Sequence, residues 1–228
     1  MAQQSNTPDR GFGRKIGAIA TPRVFHQLGI LVLDGSGSMK EGLSARKINL
    51  AQEVSTAVKD TFTLFKTSSN RNNFSFAVVY YDNTAKIELD ITPAPKVDDM
   101  RAYDPTVGMS GTTSIAEGLK LAKQISDKHL SGQEDGGIPK SVVIVILSDG
   151  LDMTEQETLS IANTLKSNDK ITITSCFFET LGGDRDGMNE AANFLKKLCT
   201  SEQHFNIVFD AEKVKNFFVA SVSNKKKI

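Results

Sequence analysis

Leu28–Met39 has the sequence LGILVLDGSGSM, an apolar run of strand length that ends abruptly in polar residues. Such a run is typical of a strand buried on both faces, as in the middle of a parallel sheet. The polar residues then fall at the carboxyl end of the strand, where open α/β sheets bind their ligands. Asp34, Ser36 and Ser38 can turn three oxygens inward, because the two intervening glycines allow the loop a sharp path. A carboxylate with two hydroxyls suits Mg²⁺ or Mn²⁺.

The same residues also fit an ordinary strand-to-helix turn in which Ser38 is the helix N-cap. Two stretches further along the chain favour the metal site. Gly111-Thr112-Thr113-Ser114 stands at the predicted start of a helix, and Asp149 follows the apolar run Val142–Leu147 within the sequence Ser-Asp-Gly. Each polar stretch therefore lies at the carboxyl end of a predicted strand or at the start of a helix.

Together these three stretches resemble the metal-ion-dependent adhesion site of von Willebrand factor A (VWA) domains. They are similar, in the same order, to the Asp-x-Ser-x-Ser, Gly-x-Thr and Ser/Thr-Asp-Gly motifs of that family. The resemblance extends over roughly residues 27 to 224. It implies five ligands of a Mg²⁺ or Mn²⁺ ion: Asp34, Ser36, Ser38, Thr113 and Asp149.

Two details of this site follow from the resemblance. Counting back from Gly118-Leu119, a small residue and a leucine that recur in the family's helix, selects Thr113 over Thr112 as the ligand. Asp149 is expected to reach the metal mostly through water. Gly35 departs from the bulkier residue that is usual after the first aspartate, which implies a less rigid loop.

Strand and helix patterns alternate along the rest of the chain. The predicted strands after the first are residues 74–81, 85–91, 141–147, 171–178 and 205–209. Asp82-Asn83-Thr84 is so short that the strands on either side must form an antiparallel hairpin. We therefore expect a doubly wound, Rossmann-like α/β fold: six strands, mainly parallel, with one antiparallel edge strand. The two most uniformly apolar strands, Ile30–Leu33 and Val142–Leu147, should be neighbours at the centre, as in VWA domains.

Composition narrows the function classes. The chain has 27 Lys and Arg against 27 Asp and Glu, so no net charge favours nucleic acid or a membrane surface. Cys176 and Cys199 are far apart in sequence, which favours two free thiols in a reducing compartment. We expect an N-terminal arm at residues 1–22, partly disordered, and a VWA domain at 23–228. With no recognisable signal peptide and no apolar run of about 20 residues, the expected location is cytoplasmic.

The predicted ligands favour recognition of a protein partner. Mg²⁺ prefers six oxygens, so this set leaves at least one position open. Serine and threonine oxygens are neutral, and the ion therefore keeps much of its charge for an Asp or Glu carboxylate of a partner. The signal-less, single-domain form is similar to prokaryotic stand-alone VWA proteins, including the tellurite-resistance-associated type. That similarity implies a component of the same system as partner, such as a MoxR-type AAA+ ATPase.

The alternative is a metal-dependent hydrolase or phosphatase that uses Asp34 or Ser36. Phosphatases of the haloacid-dehalogenase type use Asp-x-Asp, but Ser36 occupies the second position here. A hydrolase elbow requires Gly-x-Ser-x-Gly, but Asp34 occupies the first position. The histidines show no ligand or base spacing, so a binding module is the prediction. Three further acids are expected in solvated loops, of which the first could form the rim of the site: Asp152, Asp184 and Asp186.

Overall fold

The computed structural model describes residues 22–132 and 137–223. Almost all of the predicted N-terminal arm lies outside these ranges, so the division of the chain at residue 22 stays a prediction. No helix within the described ranges combines the length and the apolarity needed to cross a membrane.

A six-stranded sheet forms the middle of the described structure. Its strands are β1 (His26–Asp34), β2 (Phe74–Tyr81), β3 (Ala85–Pro93), β4 (Lys140–Ser148), β5 (Ile171–Phe178) and β6 (Phe205–Val208). They lie in the order β3-β2-β1-β4-β5-β6. Strand β3 pairs antiparallel with β2, and every other pair is parallel. The predicted fold class is confirmed, and β1 and β4 are neighbours at the centre.

Helices cover both faces of the sheet, which is why β1, β2 and β4 read as continuous apolar runs. The helices are α1 (Gly37–Glu41), α2 (Leu50–Thr67), α3 (Ile115–Ser131), α4 (Glu155–Lys166), α5 (Arg185–Leu198) and α6 (Ala211–Ser223). One buried apolar cluster packs α2 and α6 against one face of the sheet. A second cluster packs α3, α4 and α5 against the other face. Alternate residues of β1 enter the two clusters, as the period of a strand requires.

The ends of two helices differ from what the sequence predicts. The sequence predicts a helix over residues 188–199, but α5 begins earlier, at Arg185, because the carboxylate of Asp184 caps it by accepting a hydrogen bond from the Gly187 N–H at 2.9 Å. Asp186 therefore lies in the first turn of a helix and not in a loop. The sequence also predicts a capping box of Thr154 with Glu157 at the start of α4. That prediction is wrong, because the Thr154 hydroxyl makes no capping bond to this helix.

Gly118 lets α3 approach the centre of the sheet. A Cβ atom at this position would lie 2.7 Å from Cγ1 of Val32 and 3.0 Å from Cδ1 of Tyr81. Carbon atoms pack at roughly 3.5–4.0 Å, so any larger residue would push the helix away from β1 and β2.

We expect Gly118→Val to lower the free energy of unfolding by about 1–3 kcal/mol, because it overfills a packed interface. Gly132→Val is the matched control, since Gly132 is exposed and the nearest atom to its Cβ position is the flexible end of Lys140 at 3.2 Å, with two backbone oxygens at an ordinary 3.7 Å. Urea denaturation of both variants measures the difference. Equal stabilities would contradict the close packing of α3.

Candidate functional site

The five predicted ligands lie together at the carboxyl edge of the sheet. Asp34 is the last residue of β1, and Asp149 follows β4 directly. The two strands run parallel with Leu33 opposite Leu147, so both acids emerge at the same edge. The other three come from adjoining helix starts: Ser36 and Ser38 at α1, and Thr113 just before α3.

Hydrogen bonds join the members of this cluster. The hydroxyl of Ser38 donates to Oδ1 of Asp149 at 2.8 Å, and the Ser36 and Ser38 hydroxyls lie 3.1 Å apart. The backbone N–H of Ser36 donates to Oδ1 of Asp34 at 2.8 Å. Oγ1 of Thr113 and Oγ of Ser38 lie 3.8 and 3.9 Å from the point that a Cβ on Gly150 would occupy. The three hydroxyls and two carboxylates therefore face one small space.

Burial agrees with the choice of Thr113 over Thr112. Thr113 is only 7% exposed, whereas Thr112 is exposed to solvent. The backbone carbonyl of Thr113 accepts a hydrogen bond from the N–H of Met153 at 2.9 Å, which ties this loop to the segment after β4. Thr113 therefore lies on a loop whose backbone is joined to the segment that follows Asp149.

The cluster concentrates negative charge without a counter-charge. Asp34 is completely buried and Asp149 is 8% exposed, and within the described ranges neither forms an ion pair with Lys, Arg or His. Burial raises the pKa of Asp149 to about 7, and the neighbouring charge of Asp34 adds to the shift. Burial also raises the pKa of Asp34, against the hydrogen bonds that it accepts. A bound cation would remove the repulsion between the two carboxylates.

The donor chemistry narrows the kind of cation. Across the part of the chain that the structure describes, no group of three or more His, Cys, Asp or Glu side chains could hold a metal. A metal at this site must therefore depend on hydroxyl oxygens together with the two carboxylates. Oxygen-only ligands fit Mg²⁺ or Mn²⁺, so the residues present are compatible with either ion.

Ser148 and Tyr81 support the cluster, and sequence reasoning missed both. The Ser148 hydroxyl donates to Oδ2 of Asp34 at 2.6 Å. The Tyr81 hydroxyl lies 3.4 Å from the same oxygen and donates to the Leu147 carbonyl at 3.1 Å. Tyr81 lies opposite Asp34 in the register of β1 and β2, which no sequence pattern reveals.

Asp82 holds the loop that precedes Thr113. Its Oδ2 accepts from the N–H groups of Ser110 and Gly111 at 3.1 and 3.0 Å, and its Oδ1 accepts from the N–H and the hydroxyl of Thr84. Burial opposes the charged form of Asp82, but these bonds outweigh it and lower the pKa. Only a glycine fits at position 111, because a Cβ there would lie 1.7 Å from Oδ1 of Asn83. The sequence placed Asp82 only in a turn.

Asp152 is buried, and the expectation that it is solvated is wrong. Its Oδ1 accepts the N–H of Ile115 at 3.0 Å, at the start of α3, and the Thr154 hydroxyl at 3.0 Å. Its Oδ2 accepts the hydroxyl of Thr158. Asp152 therefore positions the start of α3, which Thr113 directly precedes in the loop before Ser114.

Close packing explains why a glycine occupies position 35, and it corrects the expectation of a less rigid loop. A Cβ at Gly35 would lie 2.4 Å from the carbonyl oxygen of Pro105 and 2.9 Å from Cβ of Met109. The N–H of Gly35 also donates to the Tyr81 carbonyl at 2.7 Å. The loop after β1 is thus clamped between β2 and the segment before α3, where no larger residue fits.

A family model of the von Willebrand factor type A domain matches residues 30–220. The chain belongs to this family. The match runs from the second half of β1 to the last turn of α6, and so includes all three stretches of the candidate site. The sequence has no significant match among curated proteins.

Solved structures share the fold of this VWA domain at low identity. The pilus adhesin SpaC from Lactobacillus rhamnosus GG has a TM-score of 0.71 at 14% identity, over 90% of this chain and 31% of that one. The VWA domain of the type V pili tip protein Mfa5 from Porphyromonas gingivalis has a TM-score of 0.63 at 13% identity, over 90% and 98%. Proximal thread matrix protein 1 from the mussel byssus, described with a zinc-occupied metal-ion-dependent adhesion site, has a TM-score of 0.57 at 19% identity, over 87% and 45%.

The VWA domain described here spans under a third of the length of the first of these neighbours. At these identities the neighbours show the fold alone.

We expect Asp82→Asn to lower the free energy of unfolding of this VWA domain by about 1–3 kcal/mol. An amide has one acceptor oxygen and two donor hydrogens, so one of the two pairs of donors would lose its acceptor. Asp90→Asn is the control, because Asp90 is exposed, pairs with Lys128 at the surface and otherwise accepts the N–H of the adjoining Ile91. Thermal unfolding compares the two. An Asp82→Asn protein as stable as Asp90→Asn would contradict the role of Asp82.

Proposed function

We propose that this VWA domain binds a protein partner through a Mg²⁺ or Mn²⁺ ion and recognises an Asp or Glu of that partner. The observation that carries the proposal is the convergence of two buried carboxylates and three hydroxyls in one space, where no cationic side chain of the described residues pairs with either carboxylate. The residues proposed to hold the ion are Asp34, Ser36, Ser38, Thr113 and Asp149.

The position of the cluster supports recognition from outside. Asp34, Ser36, Thr113 and Asp149 are buried, but Ser38 is exposed, so the space opens to solvent on the Ser38 side. When bound, the ion supplies a positive charge that three neutral hydroxyls leave only partly compensated. The chain's own residues orient the ion and exclude water from its inner side. A carboxylate of a partner is the ligand that best matches the open side.

The placement of the histidines argues against the enzymatic alternative. His26 is the first residue of β1, at the sheet edge opposite Asp34, and the His129 ring lies 4.6 Å from it. His204 comes just before β6, again at the amino end of its strand. The Ser36 hydroxyl lies beside the Ser38 hydroxyl at the other edge of the sheet. No imidazole base is therefore close enough to activate it.

The partner is proposed as a protein of the same system with an acidic residue on its surface. An AAA+ ATPase is the candidate that the resemblance to stand-alone prokaryotic VWA proteins suggests. A cytoplasmic location stays a prediction of the sequence, in keeping with two buried free cysteines.

Calorimetric titration tests the metal site directly. Mg²⁺ or Mn²⁺ should give a binding signal with the wild type that disappears in Asp34→Ala, while circular dichroism stays native. Ser36→Ala should weaken binding less, because a neutral donor contributes less electrostatic attraction than a carboxylate. Asp127→Ala is the control, since Asp127 is exposed and pairs with Lys123. Wild-type affinity in Asp34→Ala would place any ion elsewhere.

Thermal unfolding tests the charge argument independently. In EDTA, Asp149→Asn should be as stable as the wild type or more stable, by on the order of 1–3 kcal/mol, because it removes one of two buried like charges. Added Mg²⁺ or Mn²⁺ should raise the Tm of the wild type, since a ligand that binds only the folded state stabilises it. Asp149→Asn should lose that response. A destabilised Asp149→Asn in EDTA would show that the two charges are compensated.

Partner capture separates the binding module from an enzyme. A partner recovered from the source cells in Mg²⁺ should be lost in EDTA and with Asp34→Ala. Changing one surface Asp or Glu of that partner to Asn or Gln should weaken binding by on the order of 1–3 kcal/mol or more, because a charge pair is broken. Metal-independent capture, or ester hydrolysis that Ser36→Ala abolishes, would overturn the proposal.

A further inference from the structure

A groove of about 600 Å³ lies beside the ligand cluster. Three segments line it: residues 38–43, from α1 and the loop after it, residues 149–151 after β4, and residues 180–188, from the loop after β5 and the start of α5. Ser38 and Asp149 belong both to the groove and to the cluster, so the two are continuous. Its volume lies within the roughly 300–1,000 Å³ of typical ligand sites, which leaves room for more than one side chain.

The walls of the groove are apolar and accessible. Leu43, Leu151 and Leu181 are 42%, 40% and 53% exposed, although each lies on a short loop of a well-packed domain. Five of the lining residues are glycines, which keeps the floor free of side chains: Gly42, Gly150, Gly182, Gly183 and Gly187. Exposed leucines grouped beside a polar site are typical of an interaction surface.

The shape of the groove is fixed by the fold. The N–H of Leu181 donates to the carbonyl of Leu43 at 2.8 Å, which joins the loop after β5 to the loop after α1. Gly182 has φ +75°, a conformation that glycine adopts without strain. A Cβ on Gly183 would lie 2.9 Å from Sδ of Met188, so the Met188 side chain packs closely against this loop. A partner would therefore meet a preformed surface and lose little free energy in ordering it.

The charges of the groove are of one sign. The described residues that line it include Glu41, Asp149 and Asp184 but no Lys or Arg. The Asp184 carboxylate accepts from Gly187, and Asp149 belongs to the cluster. Glu41 is exposed and has neither a hydrogen-bond partner nor an ion-pair partner among the described residues. A cationic side chain is the complement of this lining.

We propose that the groove binds the residues next to the partner's acidic residue, namely a large apolar side chain and a Lys or Arg within the same extended segment. This proposal rests on the proposed function, because the acidic residue at the ion sets the position of the segment. Leu43, Leu151, Leu181 and Met188 contact the apolar side chain, and Glu41 pairs with the basic one. The ion provides attraction to a carboxylate, and the groove determines which carboxylate is chosen.

Selection from a phage-displayed library of random linear peptides tests the proposal on the full chain. Peptides are retained in Mg²⁺ and Mn²⁺ and released with EDTA. The expected sequences share an Asp or Glu with a neighbouring Leu, Ile, Met or Phe and a nearby Lys or Arg. Replacing the apolar residue of a selected peptide with Ser should weaken its binding about tenfold or more, as for a buried anchor of an interface.

Matched variants of the chain locate the contact. Leu181→Asp should weaken binding of a selected peptide about tenfold or more and leave calorimetric metal binding unchanged. Leu64→Asp is the control, because Leu64 is 44% exposed near the far end of α2. Glu41→Lys should weaken the binding of peptides that carry Lys or Arg. It should weaken much less the binding of the same peptides with that residue changed to Ser, as expected for a coupled pair.

The outcomes separate the two proposals. Metal-dependent binding that Leu181→Asp and Glu41→Lys leave unchanged would overturn the proposed role of the groove but not the proposed function. Binding that persists in EDTA or in Asp34→Ala, or a library that yields no metal-dependent peptide, would overturn both. Sedimentation that shows a wild-type dimer and a Leu181→Asp monomer would assign the groove to a second copy of this chain, which also overturns the proposal.

Discussion

The repulsion between Asp34 and Asp149 is the constraint around which the carboxyl edge of the sheet is organised. Parallel pairing of β1 and β4 brings both carboxylates to one edge, and the helices on both faces exclude water from them. Charges without partners are costly in such surroundings, and a fold can retain them only if something compensates. Ser148 and the Ser36 N–H do so in part by donating to Asp34. Asp149 receives only the Ser38 hydroxyl from a side chain, so it gains most from a cation.

Two other buried aspartates hold the backbone around the cluster. Asp82 accepts hydrogen bonds from three backbone N–H groups and one hydroxyl, and Asp152 accepts them from the first N–H of α3 and two hydroxyls. Because these donors lie in the segments before and after Thr113, the two carboxylates anchor those segments. Asp34 also has three donors, whereas Asp149 has the Ser38 hydroxyl as its one side-chain donor among the described residues. The charge of Asp149 is therefore the least compensated of the four.

Close approaches of the backbone fix the space between these groups. Gly35 and Gly111 lie where a Cβ would meet Pro105 or Asn83 at less than 2.5 Å, and Gly118 lies where it would meet Val32 at 2.7 Å. Gly35 brings the loop after β1 against the segment before α3, Gly111 brings that segment against the turn between β2 and β3, and Gly118 brings α3 against β1 and β2. The hydroxyls of Ser36, Ser38 and Thr113 gain their positions from this packing, since single loops with polar side chains would otherwise be free to move.

The sequence by itself determined the fold class and the members of the cluster. Buried parallel strands read as uninterrupted apolar runs, and the polar residues at their ends are visible at once, so Leu28–Met39 and Val142–Asp149 were sufficient to predict the central strands. The short turn at Asp82 predicted the antiparallel edge for an equally local reason, the length of chain available.

Only the tertiary structure decided which groups support the cluster and what lies beside it. The pairing of Tyr81 with Asp34 depends on strand register, and the burial of Asp152 depends on how α3 and α4 meet, neither of which leaves a periodic pattern in the chain. Gly35 reads as a flexible residue in the sequence, and only its 2.4 Å approach to Pro105 reveals it as a point of close packing. The groove likewise combines loops that are over 100 residues apart, from Ser38 to Met188. Contacts between distant segments depend on the path of the whole chain, and local residue preferences do not encode them.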